Sequence, residues 1–336
     1  MDTPLQIAFK GYAKKFAKLG VERKKRWGEA LRNGAPYKPL LLLSIFDLIE
    51  RGEIQSNLIE LSPELGEQFT RYCSQILPLG MRGNIGLPYY HLRSDAFWHL
   101  VPKLGFEDVV EYGGQLRSIG QLKERVLGAS FDKELFELLK IKEARNSLRT
   151  VLLEKYFALD LQAKLTDLKQ ISDVVFEKSK ELITSTKEEF VLIKDEIEED
   201  ERNKTIRDQA FRVAIVKAYI HKCAMCGIRV ITVDGHTAVE AAHIVPWSVS
   251  HNDDPRNGMA LCQLCHWAFD EGLTTVSKHY TIEVSKQLDY EIGGIQNNPL
   301  HLVHLKGKEI LKPIDTSLWP DINALEQHKK NIFKPA

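Results

Sequence analysis

The chain has 336 residues, with 46 Lys or Arg balanced by 46 Asp or Glu, so its formal net charge is zero. That length predicts two domains rather than one, and no apolar run reaches the roughly 20 residues of a membrane-spanning helix, which excludes an integral helical membrane protein. The charge balance excludes a uniformly basic surface but not a local one, because Lys and Arg crowd residues 10–38 whereas 195–201 is almost wholly acidic.

In chain order, the opening Met1-Asp2-Thr3-Pro4 lacks the basic-then-apolar pattern of a secretory signal, so a cytoplasmic location is expected. Ile7, Phe9, Tyr12, Phe16, Leu19 and Trp27 recur among lysines and predict a basic amphipathic helical region over 5–32. Pro36 and Pro39 break it. An apolar helix over 40–49 follows, stopped by Gly52. Ser62-Pro63 predicts the cap and first turn of the next helix, in which Cys73 falls in step with Phe69, Tyr72 and Ile76 as a buried hydrophobe. From 80 to 100 the texture changes: aromatics alternate with polar residues around Ser94-Asp95, which predicts a short hairpin. Helical pattern returns over 119–157. Residues 160–207 hold Lys and Glu but no Pro or Gly, and Leu161, Leu165, Leu168, Ile171, Val175, Leu182 and Ile183 are imperfectly heptad-like. A helical linker is expected there rather than a coiled coil. A short helix over 211–219 leads into strand-and-loop sequence up to about 284, and the tail from Pro299 ends in a helix near 322–330.

Five cysteines in a chain without a signal argue for metal or core roles before disulfides. Four form two Cys-x-x-Cys pairs, Cys223/Cys226 and Cys262/Cys265. Each pair offers two thiolates on a tight turn, and together they match the ligand set of a closed, tetrahedral structural zinc site. No thioredoxin-like strand-helix pattern surrounds the first pair, which argues against a redox role.

Around the second pair lie residues a structural zinc site does not need. They are Glu240-Ala241-Ala242-His243-Ile244-Val245-Pro246-Trp247, then Asn257-Gly258-Met259-Ala260-Leu261-Cys262, then Cys265-His266-Trp267-Ala268-Phe269-Asp270. This stretch resembles the His-Asn-His (HNH) endonucleases, in the branch written E-A-A-H-I-x-P-W-S and N-G-x-x-L-C; the resemblance covers about sixty residues and implies a cutting module between about residues 205 and 285. The resemblance implies a ββα-metal fold and hydrolysis of DNA phosphodiesters. It casts His243 as general base and His266 as ligand of a catalytic divalent ion, Mg2+ or Mn2+. Asn257 would hold the loop that orients His243. Asp270, on the same helix face as His266, is expected to ligate the ion or position His266, with Glu240 as the alternative. Cys265 departs from the branch, which usually has His there. It exchanges one zinc ligand for another and leaves His266 free. His221, His236, His251, His279, His301, His304 and His328 lack motif context and read as surface or core.

Pro36-Tyr37-Lys38-Pro39-Leu40, Arg51-Gly52-Glu53-Ile54, Leu87-Pro88-Tyr89-Tyr90-His91-Leu92-Arg93 and Leu135-Phe136-Glu137-Leu138-Leu139 resemble the sulfur-binding domain of phosphorothioate-dependent (type IV) restriction endonucleases, over about 20–160. The resemblance implies a shallow apolar pocket from Pro88 and Tyr89, with Tyr90 or His91 beside them. Lys38, Arg82 and Arg93 would hold phosphates or reach a base edge. The expected architecture is α+β: a mainly α-helical DNA-sensing domain with a short hairpin (1–159), a helical linker (160–207) and a zinc-containing HNH nuclease domain with a C-terminal extension (208–336). The expected partner is double-stranded, phosphorothioated DNA, and cutting both strands implies a homodimer. The alternatives are an HNH enzyme that reads methylated or unmodified DNA, and a non-catalytic zinc-stabilised DNA-binding protein.

Overall fold

A computed structural model describes residues 3–108, 116, 118–192, 201–232, 234–287 and 302–335. The acidic stretch 195–200, Pro299 and His301 lie outside them. The chain divides into two compact units, Met1–Gln170 with Thr232–His236, and Ile171–Ile231 with Thr237–Ala336. Among the described residues, no helix is long and apolar enough to cross a membrane.

The first unit is mainly helical. Helix α1 (Pro4–Phe16) starts on a Thr3 capping box and buries Tyr12 and Phe16. The helical region expected over 5–32 stops there. Residues 25–27 and 29–31 form only single turns, parted by Gly28, whose φ of 68° a helix cannot continue. Helix α2 (Tyr37–Glu50) is the hub, with Leu40 to Leu43, Ile45 and Phe46 all fully buried. It also buries Asp47, which accepts from Gln68 Nε2 at 2.7 Å and Tyr72 Oη at 2.5 Å and pairs with Arg149. Helix α3 (Pro63–Ile76) is capped by Ser62, whose Oγ accepts from the Leu65 amide at 3.2 Å, and it buries Cys73.

The hairpin expected around Ser94-Asp95 is not formed. Residues 86–91 are helix α4 (Gly86–His91), continued by a tight turn over 92–95. Pro88 lies in the first turn of that helix, where its missing N–H costs nothing. Strand β1 (Trp98–Pro102) pairs instead with β2 (Val126–Phe131), which follows helix α5 (Ile119–Arg125). The helical pattern read through 119–157 is therefore interrupted. Ala129 also exchanges both backbone hydrogen bonds with Ile59, and a Cβ on Gly128 would come within 2.7 Å of Leu58. Helices α6 (Lys133–Lys140) and α7 (Lys142–Tyr156) close the core.

The stretch 160–207 forms no third unit. Helix α8 (Leu159–Thr184) crosses the division at residue 170, burying Leu165 in the first core and packing Leu182 against the second. The second unit continues with α9 (Lys187–Leu192) and α10 (Glu201–Ala218). Strand β3 (Val239–His243), the short helix α11 (Trp247–Ser250), strand β4 (Gly258–Cys262) and helix α12 (Gln263–Asp270) then form a two-stranded antiparallel sheet followed by a helix. The β3–β4 register sets Val239 opposite Cys262 and His243 opposite Gly258. A Cβ at Gly258 would lie 2.6 Å from Ile215 and 2.8 Å from Phe211, so only glycine lets α10 approach this strand pair. A second pair, β5 (Thr274–Val276) and β6 (Ile282–Val284), and the helix α13 (Ile322–Asn331) complete the unit. On α13, His328 stacks on Phe269 at 3.6 Å and donates from Nε2 to its carbonyl, while the Thr275 hydroxyl sits 2.8 Å from Nδ1. Burial pushes the His328 imidazole down to about 4.

Candidate active site

The four cysteines gather in the second unit. Cys223 and Cys226 flank a tight turn, closed by the Gly227 amide on the Cys223 carbonyl at 2.9 Å with Gly227 at φ 74°. The neighbouring Ala224 amide is tied to the Ala260 carbonyl of β4 at 2.7 Å. Cys262 ends β4 and caps α12, and Cys265 lies in that helix's first turn. All four Sγ atoms lie within 4.8 Å of one another, with Cys226 and Cys262 3.7 Å apart. A zinc tetrahedron with Zn–S near 2.3 Å has edges of about 3.8 Å, so donor chemistry and spacing are both compatible with zinc. Hydrogen bonds among the four thiols, from Cys226 foremost, lower the Cys223 thiol below its ordinary range. Among the described residues, this is the only such convergence of metal-ligating groups.

His266 follows Cys265 on α12. Its Nε2 lies 3.4 Å from Asp270 Oδ2, one helical turn on, and its Nδ1 lies 3.5 Å from Glu240 Oε2 on β3. The two carboxylates thus occupy opposite ring nitrogens and do not meet at one point. An ion at Nε2 would have Asp270 beside it, and an ion at Nδ1 would have Glu240. Burial pushes the Asp270 carboxyl up, opposed by the His266 charge and reinforced by Glu271.

His243 ends β3 with its side chain mostly covered. Its Nε2 lies 2.9 Å from Asp253 Oδ1, and its ring lies parallel to that of Phe211 at 4.0 Å. The loop beyond it is fastened by Asn257. The Asn257 side chain accepts from the Val245 amide at 2.9 Å and donates to the carbonyls of Val245 at 3.1 Å and Asn252 at 3.0 Å. Asn257 is itself almost wholly buried, and its carbonyl accepts from the Ile244 amide. Among the described residues, no hydrogen bond or ion pair joins His243 to His266. They are linked through β3, which carries His243 and the Glu240 that reaches His266.

Residues 223–277 match the family described as HNH endonuclease. The chain carries an HNH endonuclease domain. A solved structure entitled "Modification dependent TagI restriction endonuclease" is similar over 37% of this chain, at 19% identity and a TM-score of 0.26. The similarity spans 38% of the length of that protein. Among curated proteins, none matches the chain.

Outside the HNH domain, the residues expected to sense DNA separate into buried and exposed sets. Tyr89 is fully buried, donates its hydroxyl to the Ile59 carbonyl at 2.6 Å and meets Trp98 edge-on at 5.1 Å. Pro88 is buried in the first turn of α4. The surface pocket expected from these two residues is therefore replaced by core packing: an aromatic in a half-polar run was serving the interior. Lys38 is also corrected. Its ammonium is buried and paired with Asp95 at 2.5 Å, which leaves it no phosphate to hold. Tyr90 is buried beneath the Arg93 guanidinium, 4.1 Å from its ring centre. Arg82 and His91 are exposed, and Leu87 is 45% exposed one turn before His91.

Three residues against His243 escaped the sequence reading. Asp253 lies between two of the motif's stretches, and Arg207 and Phe211 lie in helical pattern upstream. The local signal for the last two was only their spacing of four, which places both on one face of α10.

Proposed function

We propose that the protein is a metal-dependent DNA endonuclease of the restriction type, acting on phosphorothioate-modified DNA. The observation that carries this reading is the immobilised His243 imidazole, at the end of the strand whose Glu240 reaches the His266–Asp270 pair. Phosphodiester hydrolysis needs a water to lose a proton beside the phosphorus, and His243 takes that proton as general base. His266 with Asp270, or with Glu240 on its other nitrogen, would hold Mg2+ or Mn2+. When bound, such an ion supplies positive charge for the phosphate and the leaving oxygen. Asn257 keeps the loop after His243 closed, so the imidazole keeps its direction. The four cysteines would hold a structural zinc, which would fix α12 and with it His266.

The first unit selects the DNA. Exposed Lys10, Lys14, Lys18 and Arg82, with half-buried Arg93, contact backbone phosphates. Sulfur in place of a phosphate oxygen is larger and less strongly hydrated, so an apolar spot can favour it where an ordinary oxygen would forfeit hydration. With Pro88 and Tyr89 in the core, exposed Leu87 beside His91 supplies that spot. Cleavage of both strands calls for two such sites, hence a homodimer.

The test compares one plasmid in phosphorothioated and unmodified forms, with Mg2+ or Mn2+ added. The expected result is cleavage of the modified form alone, abolished by chelation and by His243→Ala. Equal cleavage of both forms would reject the selection by sulfur. An unchanged rate in His243→Ala would reject the catalytic assignment.

A further inference from the structure

We infer that Asp253, clamped by Arg207, is a positioning residue that fixes the tautomer of His243 and makes Nδ1 the basic nitrogen; the inference rests on His243 acting as the base. A carboxylate oxygen only accepts hydrogen bonds, and a neutral imidazole has one donor and one acceptor nitrogen. Asp253 Oδ1 lies 2.9 Å from His243 Nε2, so Nε2 carries the hydrogen and the lone pair falls to Nδ1. The other carboxylate oxygen is held by an ion pair rather than by an aligned hydrogen bond. Asp253 Oδ2 lies 3.2 Å from Arg207 Nε, and both side chains are largely withdrawn from solvent.

The clamp belongs to one turn of α10. Arg207 and Phe211 are four residues apart and share a face of the helix. Phe211 covers one face of the imidazole at 4.0 Å with the rings within 7° of parallel, while Arg207 holds the carboxylate at its edge. Arg207 is fixed in turn by the Trp247 ring, 3.8 Å beneath its guanidinium, and by Asp208 Oδ1 at 2.8 Å. Ring plane and tautomer are thus set by separate contacts from the same helix, and Gly258 is the residue that lets that helix come close enough.

This arrangement makes an isosteric change more informative than a truncation. In Asp253→Asn the guanidinium, which can only donate, claims the amide oxygen. The amide nitrogen then faces His243 Nε2, which must accept, and the hydrogen moves to Nδ1. A merely structural role would leave the near-identical Asn harmless.

The experiment combines 15N-histidine NMR of the full chain at mildly alkaline pH with cleavage kinetics, the His243 signals being assigned by their loss in His243→Ala. The expected result is an Nε2–H tautomer in the wild type and an Nδ1–H tautomer in Asp253→Asn. The variant's kcat should fall by about 10- to 100-fold, the range typical of lost supporting hydrogen bonds, with KM for DNA unchanged. An Nδ1–H tautomer in the wild type overturns the inference whether or not any variant folds. So does an Asp253→Asn enzyme that cleaves at the wild-type rate. If His243→Ala cleaves normally, the base assignment fails instead, and the NMR reading of the tautomer stands apart from it.

Discussion

The two units hold polar groups in opposite ways. In the first, a broad apolar core surrounds a buried polar knot, with Asp47 bound by Arg149, Gln68 and Tyr72 in the middle of α2 and its neighbours. Both Asp47 carboxylate oxygens are engaged by these neighbours, so the knot specifies packing. In the second, the strands are three to five residues long, and four thiols converge beside the sheet that bears the catalytic candidates. Strands this short give little cooperative strength by themselves. The polar groups of this unit, such as His266 and Asp270, lie partly open to solvent, and a zinc ion on the four thiols would do the work of a larger core.

The largest expected effect tests that contrast directly. Structural zinc is worth about 10–16 kcal/mol in small zinc-folded peptides, so chelation or Cys262→Ser should unfold the second unit and spare the first. Limited proteolysis followed by mass spectrometry would show it, and simultaneous loss of both units would break the comparison. Next, Arg149→Ala leaves Asp47 buried and unpaired, which typically costs about 3–5 kcal/mol. Chemical denaturation should show that loss in the first unit, with the second unit's transition in place.

The third prediction concerns pH. His328 has a folded pKa of about 4, below its unfolded value of about 6.5, so the unfolded state binds more protons between them. Its contribution to stability is present above about 6.5 and is lost as pH falls to about 4, a change on the order of 3 kcal/mol. The second unit should therefore melt progressively earlier over that window, and His328→Phe should flatten the dependence. The smallest effect is Gly258→Ala, which overpacks the α10 contact and should cost about 1–3 kcal/mol. Cleavage should slow more than melting suggests, because Phe211 and Arg207 move away from His243; equal losses in both would show that α10 only packs.

Legibility followed how local each feature is. The thiols and the HNH residues stand at short, fixed intervals, because one turn or one strand end must present them together, and pattern alone finds them. Ser62 and Gly52 were legible for the same reason. Trp98–Pro102 was not, because its partner Val126–Phe131 lies beyond another helix, and nothing near Ser94 announces a distant strand. Tyr89 misled in a related way: alternating polar neighbours mark a strand or an exposed platform equally well, and only the Ile59 carbonyl shows which way the hydroxyl faces. The clamp on His243 joins residues from α10 and from the loop after β3, so it exists only once the fold brings them together.

Cys265 and His266 are consecutive, so a zinc ion held by the four thiols would also anchor the backbone of the proposed catalytic ligand. On the proposed reading, a newly made chain whose thiols have not yet gathered should lack an ordered α12, and with it any cleavage.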